Sequence, residues 1–232
     1  MCFNIVIFNP KQRNLERIFQ VINRNSIINN DGFSIWSNSV YLRTLNFNDF
    51  RMAEEKAIRS KIVHIHFRKA SSGSINNNNI HMWKISDYYI SHNGFVGRFM
   101  ESHLLRWFSY ESFEPYENVF YTATESDTYQ LVHQAEFEEY LNERNWKGLY
   151  KYLKACQFYG VLFLTNEDEM IGISIEKPIH ITYYQRDNIL MFSNQSLNFK
   201  SFTKYNIRFK ISSKHEGIIH FSFEDEVLKV IK

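Results

Sequence analysis

Four short stretches carry residue types whose spacing could do chemistry. The chain opens "MCFNIVIF", with one of its two cysteines at position two. Removing the start Met would put a thiol and a free α-amine on Cys2, a nucleophile and a base on one residue. "HIHFRKASSG" (64–73) ends a strand pattern at Arg68 and runs into a Ser/Gly loop. A guanidinium there suits a bidentate grip on a carboxylate, although a surface arginine in a salt bridge has the same signature. "YYISHNGFVG" (88–97) contains Asn93 and Gly94. Asn-Gly is a turn former because the pair tolerates positive φ. Alternatively, the Asn93 amide and the Gly94 N–H form a donor pair for an oxyanion. In "TESDTYQLV" (124–132) Asp127 follows Ser126, a candidate N-cap. A carboxylate there favours the helix dipole or receives an ammonium group. His64 and His66 share a strand face as H-x-H, but no acidic or Cys partner stands at ligand spacing. They read as core histidines, and no metal is assigned.

These groups need strands and helices to position them. Residues 2–8 and 61–68 read as strands, the second with Ile62, His64 and His66 on one face and Val63, Ile65 and Phe67 on the other. Apolar spacing predicts helices over 12–25, 48–60, 99–108 and 127–144. "FSIW" and "VYLRTL" form a hairpin after the "NNDG" turn, 70–79 is a polar loop, and "IHMWKI" and "YYIS" are short strands. Beyond Tyr159 the pattern is strand after strand: "GVLFLT", "MIGISI", "HITYY", "ILMFS", "NIRFKIS" and "IIHFSF". Two groups of strands with helices between them predict stacked sheets between helix layers. Residues 201–232 read as final strands of the same unit.

The bulk figures narrow the classes. A chain of 232 residues with 44% apolar and 22% charged content is long enough to bury a full core. A net charge of +2 carries no basic excess for nucleic acid or an anionic membrane. Two cysteines make no disulfide framework and suit a reducing compartment. No stretch reaches the ~20 apolar residues of a membrane span, and the N-terminal apolar run is short for a signal peptide. The expectation is a cytoplasmic globular protein.

The order of the motifs is more specific than any one of them. Cys2, then H-x-R-x-A-S-x-G, then N-x-H (Asn79 to His81), then H-N-G, then S-D-T on a helix resembles the glutaminase domain of class II glutamine amidotransferases. That N-terminal-nucleophile group includes glucosamine-6-phosphate synthase, amidophosphoribosyltransferase and asparagine synthetase. The "RKAS" variant is similar to its small, stand-alone members, and the resemblance spans about residues 2–200. Phe3, Lys69 and Ser71 depart from the Gly, Trp and Thr common in the family.

The resemblance implies an α+β fold, a four-layer αββα sandwich of two stacked, mainly antiparallel sheets, with residues 1–232 as a single glutaminase domain. It implies that Cys2 attacks the side-chain amide of L-glutamine to give a γ-glutamyl thioester and ammonia, with the Cys2 α-amine as base. Asn93 and Gly94 hold the oxyanion. Arg68 binds the α-carboxylate and Asp127 the α-ammonium, with Ser71 and His81 also at the substrate. The 71–74 loop closes over the bound amino acid. No cofactor is implied, and a separate synthetase or transferase accepts the ammonia. An amide hydrolase for another substrate, or a catalytically silent binding or regulatory protein, is the rival on the same fold.

Overall fold

The first strand of the chain packs on both of its faces. In the computed structural model, which describes residues 2–71, 73–97, 125–184, 187–197, 206–210 and 216–231, β1 (Phe3–Phe8) is buried throughout. Phe3, Ile5 and Ile7 meet one apolar cluster, and Val6 and Phe8 meet another. A strand with both faces apolar belongs between two layers; β4 (Ile62–Phe67) beside it is also buried throughout, with Val63, Ile65 and Phe67 on one face and Ile62, His64 and His66 on the other.

One sheet has the order β11-β9-β10-β1-β4-β2-β3 and the other β13-β12-β8-β7-β6-β5. The remaining strands of the first are β2 (Phe33–Ser37), β3 (Val40–Thr44), β9 (His180–Tyr184), β10 (Ile189–Ser193) and β11 (Asn206–Lys210). The second comprises β5 (Trp83–Ile85), β6 (Tyr88–Val96), β7 (Phe158–Thr165), β8 (Glu169–Ile175), β12 (Gly217–Ser222) and β13 (Val227–Ile231). All ladders between these strands are antiparallel, with an isolated parallel bridge between Gly160 and Glu176.

The sheets stack through Val6, Phe8 and Phe192 on one side and Val161, Phe163 and Phe221 on the other. Helices α1 (Glu16–Ile22) and α2 (Phe47–Ala57) cover the outer face of the first sheet with Ile18, Phe19, Phe50 and Ala53. Helices α3 (Asp127–Val132), α4 (Ala135–Asn142) and α5 (Trp146–Ala155) cover the second with Leu131, Phe137, Leu149 and Leu153. The result is the expected αββα sandwich. The late strands behave as read: β11 extends the first sheet, and β12 and β13 extend the second.

Three expectations change. The helix predicted over 12–25 begins only at Glu16, because Asn9 holds residues 9–13 in a loop: its side chain donates to Arg13 O and accepts from Arg13 N–H. The helix predicted over 127–144 is two helices, with Gln134 extended between them at φ −78° and ψ 135°. Asn93 and Gly94 do not form a turn. They lie inside β6, which runs on to Val96. The helix predicted over 99–108 lies outside the described residues. Among the described residues, no helix is long and apolar enough to cross a membrane.

Candidate active site

Cys2 stands immediately before β1 and is buried. Its carbonyl accepts hydrogen bonds from Asn194 Nδ2 at 2.9 Å and Gln195 Nε2 at 3.2 Å, and Asn194 Oδ1 accepts from Asn4 N–H at 2.6 Å. The turn after β10 therefore clamps the chain on both sides of Phe3. The Sγ accepts from Lys69 N–H at 3.3 Å and lies 3.5 Å from Lys69 O. Burial pushes the thiol pKa up; the Lys69 N–H and the Arg68 charge pull it down, while Asp127 raises it.

Arg68 follows β4 directly, with its N–H donating to Gly32 O and its carbonyl accepting from Asp31 N–H. It is 2% exposed, so the surface-arginine alternative is excluded. The guanidinium donates to Ser74 O at 3.3 Å. Burial lowers its pKa, and the charges of Cys2, Asp31 and Asp127 oppose that shift. One cation, one thiol and one carboxylate thus share a single electrostatic neighbourhood.

Asp127 opens α3 and is buried at 4% exposure. Its Oδ2 accepts from Val96 N–H at 2.8 Å. Ser126 caps the helix by accepting from Tyr129 N–H, as expected. Ser126 N–H in turn donates to Asn79 Oδ1 at 2.8 Å, while Asn79 Nδ2 donates to Ser74 O at 3.0 Å. The N-x-H motif therefore ties the loop after Arg68 to the helix that carries Asp127. Gly73 completes this joint. It has φ +69°, and a Cβ there would lie 2.6 Å from Ser126 N.

The contacts of His64 with Ser91 and of His66 with the His92 carbonyl show β6 advancing toward the same end of the sandwich as β4. Asn93 and Gly94 thereby come up on the side of Cys2 and Arg68. Residues 93, 95 and 97 direct their N–H groups at β7, as Gly97 N–H to Gln157 O shows. Alternate residues point the other way: His92 N–H donates to His81 Nδ1 at 3.4 Å and Val96 N–H to Asp127. By that alternation Gly94 N–H projects from the same edge, between His81 and Asp127. Gly94 faces Gly160 across the ladder, and a Cβ on Gly94 would lie 1.8 Å from Tyr159 O. Only glycine fits this strand position.

His81 is stacked against His66 at 4.2 Å and tilted over Trp83 at 4.8 Å. Burial holds it neutral, its pKa lying well below the usual histidine value. Ser71 is exposed at the outer part of the loop. The inner part is anchored: Arg43 donates to the carbonyls of Asn77, Asn78 and Ile80, and Trp83 Nε1 donates to Asn78 O. Within the loop read over 70–79, Asn77–Asn79 form a 3-10 turn, with Asn76 Oδ1 accepting from Asn79 N–H. His64 is a satisfied core histidine, bonded to Thr165 and Ser91. Among the described residues, no group of three His, Cys, Asp or Glu side chains is arranged to hold a metal.

Two contributions were not singled out from the sequence. Asn194 and Gln195 lie 192 and 193 residues from Cys2, so only a strand-to-strand register brings them together. Lys177, in "EKP", lies with its Nζ 4.8 Å from the Tyr159 ring centroid. Burial lowers its pKa, and the charge of Cys2 opposes that shift.

The αββα architecture is shared with solved glutamine amidotransferase structures. Phosphoribosylpyrophosphate amidotransferase from B. subtilis superposes over 100% of this chain with a TM-score of 0.61 and 11% identity. The allosteric regulatory enzyme of purine biosynthesis does so with a TM-score of 0.64 and 11% identity. This chain spans about half the length of each, 49% in both cases. A glutamine aminotransferase class-II domain protein from Silicibacter pomeroyi matches over 100% of this chain and 98% of its own, with a TM-score of 0.56 and 9% identity. At such identities the likeness is one of fold. No protein-family model matches the chain, and no curated protein matches it.

Proposed function

We propose that the chain is a glutaminase of the class II amidotransferase type, acting through Cys2 as a single domain. The observation that supports this reading is geometric: buried Arg68 adjoins the Lys69 N–H that donates to Cys2 Sγ, and Asn79 ties the Ser74 carbonyl gripped by Arg68 to the helix start that carries buried Asp127. A guanidinium and a carboxylate set at one nucleophile match the two charged ends of an α-amino acid, and an amide hydrolase for an uncharged substrate has no need of both. Once Met1 is removed, the Cys2 amine, with an ordinary pKa of about 7.7–8.0, takes the thiol proton. The Sγ adds to the side-chain amide carbon of glutamine, and the oxyanion is held by the Asn93 amide and Gly94 N–H. The proton passes to the departing nitrogen, ammonia leaves, and water releases glutamate from the thioester. Ser71 and His81 border the substrate, and the ammonia passes to a separate synthetase or transferase in the cytoplasm.

The test is an assay of glutamate and ammonia from purified protein and glutamine, with Cys2→Ala as control. Intact mass checks the loss of Met1. Equal amounts of product from both proteins, or none from either, would leave the silent-protein reading in its place.

A further inference from the structure

The end of the sandwich away from Cys2 carries a second feature. Six residues of β1 at ~3.3 Å each put it ~20 Å from the nucleophile. A cleft of about 590 Å³ opens there between the β1–α1 loop, Arg59 beyond α2, and Tyr184, Asp187 and Ile189. Lys11, Arg13, Arg17 and Arg59 line it, with Glu16 and Asp187. Among the described lining residues, the cations outnumber the carboxylates by two.

Several cations elsewhere are engaged, Arg51 with Glu54, Lys69 with Asp31, Arg144 with Glu169, Lys154 with Glu216, and Arg43 with three carbonyls, whereas others such as Arg24, Lys56 and Lys147 stand singly on the surface. Among the described residues, none of the four cleft cations joins an ion pair or donates a side-chain hydrogen bond, although two carboxylates line the same cleft. Keeping four like charges together without partners costs stability, so their grouping calls for a ligand that repays it.

The backbone under them is built. Asn9 is fully buried and binds both the N–H and the carbonyl of Arg13, at 2.9 and 2.8 Å. The same amide reaches Ser60 O at 3.3 Å, next to Arg59. Gln12 is held at φ +47°, a left-handed conformation that a side chain other than Gly, Asn or Asp seldom takes. One buried amide thus fixes the spacing of two arginines on different elements.

We propose that this cleft binds a small organic polyphosphate, with Arg13 and Arg59 as its principal anchors. Guanidinium groups grip phosphate oxygens bidentately, and the volume is that of a site for a nucleotide-sized molecule. Two linked phosphates would neutralise the surplus charge. An extended polyanion would need a continuous basic track, and the near-neutral chain offers none.

The test is calorimetric titration of the full chain with ATP, inorganic triphosphate and adenosine at low and at 0.3 M salt. ATP and triphosphate should bind and adenosine should not, with affinity falling as salt rises. Arg13→Ala and Arg59→Ala, both exposed and remote from Cys2, should each weaken binding about tenfold and leave reaction at Cys2 unchanged. No binding of either phosphate, or binding undiminished in the double variant, would overturn the proposal. So would capture by heparin or duplex DNA while both small phosphates stay inert. Because the readout is binding, the result is independent of whether glutamine is hydrolysed.

Discussion

A guanidinium with 2% exposure has to be compensated, and at Arg68 the compensation comes from Cys2, Asp31 and Asp127 together. Residues that share one field should fail in distinguishable ways. Asp127→Asn keeps an oxygen for Val96 N–H but removes the charge and the oxygen that accepts from Thr128 Oγ1 at 3.4 Å. It should raise KM for glutamine by about 10–100-fold, the range of a charge-assisted hydrogen bond, with kcat and Tm little changed. Asn93→Ala should instead lower kcat by roughly 10²–10³-fold, since an oxyanion donor acts chiefly in the transition state. Steady-state kinetics of the two variants decide the matter: an Asn93→Ala enzyme with intact turnover would remove the amide from the oxyanion role. In the sequence Cys2, Arg68 and Asp127 stand out through the order of their motifs and the resemblance it carries, since each stretch alone reads equally as a core thiol, a salt-bridged arginine or a helix-start carboxylate. Asn194 and Gln195 do not, because an amide bonded to a backbone carbonyl looks like any surface amide in one dimension.

At the scale of elements, the Asn93–Gly94 segment shows why local rules misfire at a working site. Positive φ and Asn-Gly usually mean a hairpin, yet here the glycine answers a close approach between β6 and β7. A Cβ on Gly160 would lie 2.3 Å from Asn93 O, and Gly94 meets the same crowding from the other strand. The partner glycine lies 66 residues away, so no window along the sequence reveals it. Gly160→Ala should cost about 1–3 kcal/mol or more through overpacking, lowering Tm by about 5–10 °C in a chain of this size. Thermal melting checks it, and an unchanged Tm would mean that the two strands have room to spare. Periodicity gave the helical character of 127–144 correctly but not its break, because Gln134 leaves the helix without a Gly or Pro to mark the place.

At the scale of the whole molecule, four histidines occupy the space around the two sheets in neutral form. Burial lowers the pKa of His64 to about 3 and of His92 to about 4, and holds His66 and His81 well below the usual value. His64 and His92 lower His66 further, His66 and His92 lower His81, Arg68 adds to both, and Asp127 opposes the shift at His92. In the unfolded chain each titrates near pH 6.5. Between pH 6.5 and the folded values the unfolded state therefore binds more protons, and stability falls as pH falls. Each histidine contributes up to about 1.4 kcal/mol per pH unit in that window. Buried Glu54, whose pKa burial raises, works in the opposite sense, but it is one group against four. Tm should accordingly be flat above pH 7 and drop by on the order of 10 °C between pH 6.5 and 5, before most carboxylates titrate. Melting curves across that range are the measurement. A level Tm would mean that the stacked rings of His66 and His81 accept a proton in the folded state, and the interface between the sheets would then be far more polar than its Val, Phe and Ile neighbours make it.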